Sequence, residues 1–179
     1  AAVQKRLRTL AMPNAAIAVE VGEHADDHPG DRVQFLLAAN PGSPVLPLTR
    51  VASGGELARA MLALRLVLSE ASAGSPGTSG HDTLVFDEVD AGIGGEAAQA
   101  VGDALARLGQ HHQVLVVTHL AQVAAAAESQ ISVSKKVSKG ATFASAKRLE
   151  GDERVDEIAR MLSGKSTDSA LEHARELLR

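Results

Sequence analysis

"TLVFDEVDAGIGG", residues 83–95, decides the fold. A short apolar run meets two carboxylates, Asp87 and Glu88, and then a glycine-rich turn, which reads as a buried strand that stops abruptly. "QVLVVTHL", residues 113–120, repeats the pattern and ends on Thr118 and His119. Residues 95–109 between them have helical spacing, and 120–127 form an alanine-rich helix. Apolar strands alternating with helices predict an α/β fold built on a largely parallel sheet flanked by helices. In such sheets ligands bind beyond the carboxyl ends of the strands, which places Asp87, Glu88 and His119 on the functional edge. A first carboxylate there can hold Mg²⁺ through water, and a second can orient or deprotonate an attacking water. On their own, two acids at a strand end equally describe a solvated terminus.

Upstream lies "VASGGELARAMLALRLVLS", residues 51–69. The hydroxyl of Ser53 can cap a helix that Glu56 completes as a capping box, and Leu57, Met61, Leu64 and Leu68 then fall on one predicted apolar face. Gly54 and Gly55 sit in the first turn, where each gives up about 1 kcal/mol of helix propensity relative to alanine. Two readings explain the loss: a backbone bared so that an anion can approach the helix N-terminus, or glycines that permit close helix packing.

The remaining chain frames these motifs. "AAIAVEVG" and "DRVQFLLAAN" predict a hairpin closed by an acidic loop at 23–30, "PGSPVLPLTR" an extended loop, and 71–80 a flexible linker. "QISVSKKVSKGATFASAKRL" predicts a second hairpin, and 152–179 a helical end broken at Ser163–Gly164. The opening residues 1–12 are basic and helical, and their Val3, Leu7 and Leu10 suit the end of a coiled-coil arm that belongs to something longer. With 179 residues and 45% apolar content, one principal domain over 13–179 is the expectation.

Composition narrows the function. Eighteen basic against 22 acidic side chains provide no general electrostatic grip on nucleic acid or anionic membrane. The absence of cysteine excludes a disulfide framework and thiolate metal sites. Three Phe without Trp or Tyr leave little surface for stacking bases, against a stand-alone single-strand-binding module. No apolar run approaches twenty residues, so no membrane partner is expected.

In this order, a glycine-bared helix start, a strand ending Asp-Glu and a strand ending in His resemble the C-terminal half of an ABC-type ATPase head. The form "DEVDAG" resembles the SMC-like branch, and "VASGGELARAMLAL", "FDEVDAGIGG" and "VTHLAQVAA" resemble a member that repairs bacterial DNA double-strand breaks. The resemblance implies a C-terminal lobe in which Ser53, Gly54, Gly55 and Glu56 form the signature motif and Leu84–Glu88 the Walker B strand. Val89–Gly94 is then the D-loop and His119 the switch histidine. It further implies ATP and Mg²⁺ as cofactors, Glu88 as general base, Asp87 in the Mg²⁺ shell through water, and His119 sensing the γ-phosphate. Asp90 would act in the D-loop, although relatives often end that loop in Leu-Asp where this chain has Ile93-Gly94.

The implied partners are the protein's own N-terminal head half, which carries the Walker A loop, a second head across shared ATP, and DNA through the full-length protein. The implied location is the cytoplasm, at the nucleoid. A phosphate cradle needs G-x-x-x-x-G-K-[ST]; Gly164-Lys165-Ser166 has its end, but Ala159 stands at the first glycine and the preceding segment is helical, so it is rejected. Rival readings are a transporter ATPase subunit, which usually carries "DEPT", and a head-dimerisation domain without turnover. His24 and His28 with Asp26, Asp27 and Asp31 read as a solvated acidic turn before a metal site. Lys135, Lys136, Lys139, Lys147 and Arg148 read as a solvated hairpin edge before a DNA contact.

Overall fold

The computed structural model describes residues 2–23, 31–51, 53–72, 83–138 and 140–179, which form two compact units, Ala1–Val117 and Thr118–Arg179. The acidic turn with His24, His28, Asp26 and Asp27, most of the 71–80 linker, and Lys139 lie outside the described residues.

In the first unit, helix α1 (Ala2–Thr9) buries Leu7, and Leu10 and Met12 just after it are also buried. Strands β1 (Ala16–Glu23) and β2 (Asp31–Ala38) pair antiparallel from Ala16 opposite Ala38 to Glu23 opposite Asp31. A short β3 (Leu46–Pro47) adds to β2, and a 3-10 turn follows at Leu48–Arg50, so the segment expected as an extended loop contributes a strand. Helix α2 spans Gly54–Ser72. Strand β4 (Thr83–Phe86) runs parallel to β5 (Gln113–Val116), with α3 (Gly95–Gly109) between them in sequence. Helix α3 buries Ala98, Val101, Gly102, Leu105 and Leu108, one continuous stripe at helical spacing.

Two further expectations change. Among the described residues the parallel sheet is confined to the β4–β5 pair, and its strands are not fully buried, because Val85 is 68% and Leu115 51% exposed. The buried face of α2 is Gly55, Arg59, Leu62, Ala63 and Leu66, whereas Met61 and Leu68 of the predicted face are exposed and Leu57 and Leu64 only half-buried. The helix is apolar on two sides, and the chain covers one of them. A groove of about 330 Å³ remains on the other, between α2 and β4, lined by Leu57, Met61, Arg65, Leu84, Val85 and Asp87 among others.

The second unit opens with α4 (Ala121–Ala125), continues through the hairpin β6 (Gln130–Ser138) and β7 (Ala141–Leu149), and ends in α5 (Gly151–Ser163) and α6 (Asp168–Leu177). Its core is Ile158 with Ala121, Ala124, Ala159, Ala170 and Ala174, the alanines being small enough to let the three helices approach closely. The Arg154 guanidinium donates to the carbonyls of Ala124, Ala125, Ala127 and Glu128, satisfying the C-terminal end of α4. Gly164 is left-handed (φ +75°) and its N–H donates to the Arg160 carbonyl, so the rejected Gly164-Lys165-Ser166 segment is a helix C-terminus.

Glu157 links α5 to the hairpin: its carboxylate accepts from Arg160 Nε at 2.7 Å and Nη2 at 2.8 Å, and from Ser132 Oγ at 3.1 Å. Arg160 is the main cause that holds the Glu157 carboxyl below its ordinary 4.5, partial burial opposing it. A depressed folded-state value stabilises the fold above the unfolded pKa and is lost as pH falls through the folded one. Acid unfolding followed by circular dichroism should therefore show a component below about pH 4.5 that is absent in Glu157→Gln.

Candidate functional site

The site is built where α2 begins. The Leu57 N–H donates to the Ser53 carbonyl at 3.0 Å, and the Glu56 N–H reaches the Ser53 hydroxyl at 3.4 Å, so Ser53 caps the helix as its sequence implies. Across from this first turn lies the corner that follows β4. Asp87 and Glu88 are exposed, while Val89 and Asp90 turn inward and are 0% and 2% exposed. The corner closes through the Ala91 N–H, which donates to the Glu88 carbonyl at 3.0 Å.

Glu88 has φ +56°, the left-handed region, and only it and Ala11 do so among the described residues that are not glycine. That conformation costs a residue with a Cβ about 1–2 kcal/mol, and such strain persists where the surroundings hold it. It turns the carboxylate toward α2: a Cβ on Gly54 would lie 2.7 Å from Glu88 Oε2. The acid thus sits at the positive end of a helix, where N–H groups and the dipole favour negative charge.

Gly55 meets the same corner further in. Its Cβ would lie 2.9 Å from the Ala91 carbonyl oxygen and 3.0 Å from the Ala91 Cβ. Close packing within the chain thus accounts for both glycines: Gly55 lies against the Ala91 backbone and Gly54 against the Glu88 carboxylate. Gly54, Gly55, Glu88 and Asp90 converge on one corner, with Ser53 and Glu56 in the helix start and Asp87 next to Glu88 along the chain.

Thr118 and His119 belong to the second unit, which they open. His119 is exposed, and the Thr118 hydroxyl accepts from the Leu120 N–H at 3.0 Å, fixing the turn into α4. Among the described residues no three His, Asp or Glu side chains are grouped so as to hold a metal by themselves.

Sequence reasoning missed Arg59. It lies one turn beyond Gly55 on α2, is 6% exposed, and its Nη1 donates to the carbonyls of Ala91 at 2.9 Å and Val89 at 3.3 Å. Burial is the largest influence on it and lowers its pKa, opposed by the nearby charges of Glu56 and Asp90. An arginine within an apolar helix reads as a solvated residue, and only its spacing of four from Gly55 hinted at the buried face.

Comparison with known proteins adds the family context. No family model matches the chain. It is 50% identical over 176 residues to the DNA repair protein RecN of Deinococcus radiodurans, covering 96% of this chain and 29% of that protein. It is 43% identical over 193 residues to the DNA repair protein RecN of Streptomyces coelicolor, covering 99% and 32%. The chain thus spans about a third or less of the length of these curated relatives. The fold is similar to an Smc head domain with a coiled coil and joint from Pyrococcus yayanosii, with a TM-score of 0.54 and 18% identity over 99% of this chain and 28% of that one.

Proposed function

We propose that this chain, whose sequence is similar to RecN over nearly its whole length and whose fold is that of the C-terminal lobe of an SMC-like ATPase head, is the C-terminal part of the ATPase head of an SMC-family DNA repair protein. The observation that carries this reading is the meeting of a glycine-bared helix N-terminus with a strained glutamate at the end of a β-strand. The first is a binding surface for phosphate; the second is a base held where water can reach it.

In this reading Glu88 would accept a proton from the attacking water, and Asp87 is the residue that would hold Mg²⁺, through water. His119 would sense the γ-phosphate, and Ser53, Gly54, Gly55 and Glu56 would close the nucleotide site of an opposing head; Asp90, 2% exposed, would serve the D-loop from inside the corner and not by touching nucleotide. Bound Mg²⁺ would neutralise charge on the transferring phosphate. The groove between α2 and β4, with Met61, Leu68 and Val85 exposed, suits the protein's own N-terminal head half carrying the Walker A loop. A second head joins across ATP, and engagement of heads is coupled to DNA held by the full-length protein. A role in DNA repair would place the protein in the cytoplasm at the nucleoid.

ATP turnover should be absent from this chain alone and arise on mixing with the N-terminal half, rising with protein concentration. Turnover by the purified chain alone would overturn the split site.

A further inference from the structure

Burying a guanidinium is costly, and that of Arg59 keeps its cost in plain view: Nε is buried with no hydrogen-bond partner. What the arginine gains is a fixed geometry between two segments far apart in sequence. Its Nη1 reaches over 30 residues to Val89 and 32 to Ala91, gripping the carbonyls on either side of the buried Asp90. The same Ala91 carbonyl lies against Gly55, and the Ala91 N–H closes the turn onto Glu88. Helix start, arginine, turn and strained glutamate therefore form one connected chain of contacts.

We propose that Arg59 is a positioning residue that locks the 88–91 corner onto the first turns of α2, so that Glu88, toward its own nucleotide, and the Ser53–Gly55 helix N-terminus, toward that of the opposing head, are held as one rigid body. Its consequence for turnover rests on the ATPase reading above; the lock itself does not. The strained backbone of Glu88 needs such a lock, since a left-handed glutamate relaxes when its surroundings stop dictating its conformation. Both carbonyls accept from the single Nη1, which a lysine ammonium can imitate, but the lysine side chain is one bond shorter, so it replaces arginine only in part.

Two measurements on Arg59→Met and Arg59→Lys test the lock. Amide hydrogen exchange on the 179-residue chain should accelerate at least tenfold at Ala91 in Arg59→Met, with α3 unchanged, and by less in Arg59→Lys. In the full-length protein kcat should fall about 10- to 100-fold, KM staying within about threefold, with Arg59→Lys recovering part of the loss. Unchanged exchange at Ala91 in a folded variant, or unchanged kcat in a protein whose wild type turns over ATP, overturns the proposal. If Arg59→Met does not fold, Arg59→Lys decides by the same two readouts. A wild type without turnover sinks the ATPase reading, and exchange at Ala91 then still decides whether Arg59 locks the corner.

Discussion

Glu88→Gln in the full-length protein is expected to cut ATP turnover by roughly 10²- to 10⁴-fold, the usual contribution of a general base, while nucleotide binding stays within about threefold. The amide has the shape of the acid and cannot take up a proton. Glu88 is exposed, and glutamine meets the same backbone constraint at φ +56°, so the fold has little reason to respond. Phosphate release at saturating ATP and nucleotide binding by calorimetry separate the two effects. Turnover close to wild type would remove Glu88 from the reaction.

The two adjacent glycines should respond in opposite ways. Gly55→Ala drives a Cβ to 2.9 Å from a backbone carbonyl and 3.1 Å from the Arg59 guanidinium, and neither can swing aside without moving the corner. Overpacking of this kind costs about 1–3 kcal/mol. Gly54→Ala meets only the far end of the Glu88 side chain at 2.7 Å, which a rotation relieves, and the helix gains about 1 kcal/mol of propensity. Urea unfolding should therefore show Gly55→Ala destabilised and Gly54→Ala unchanged or more stable, although both lose turnover because both displace Glu88. Equal unfolding midpoints would mean that the corner yields more easily than its contacts imply.

Much of the fold was legible because its boundaries are punctuated. Helix α3 occupies the span expected for it, where Gly94-Gly95 opens it and Gly109 closes it, and the 130–149 hairpin alternates as a strand pair should. The face of α2 was not legible, since Leu57, Met61, Leu64 and Leu68 form as good a stripe as Gly55, Arg59, Leu62, Ala63 and Leu66. Which side is covered depends on partners that periodicity does not name. Asp87, Glu88 and the glycine pair were readable as chemistry, but the left-handed backbone of Glu88 and the burial of Arg59 and Asp90 arise from a tertiary corner. Local spacing carries no trace of two carbonyls converging on a side chain some thirty residues away.

The left-handed glutamate sets a tension between what the fold favours and what the proposed reaction needs. Glycine or asparagine at position 88 would relieve the backbone conformation. A laboratory selection that rewarded heat resistance alone would accordingly drift away from glutamate there and enrich sturdy proteins that no longer work. On the proposed DNA-repair function, only a selection that also demands survival of DNA damage would hold the acid in place, so the two regimes, run side by side on one library, should part company first at position 88.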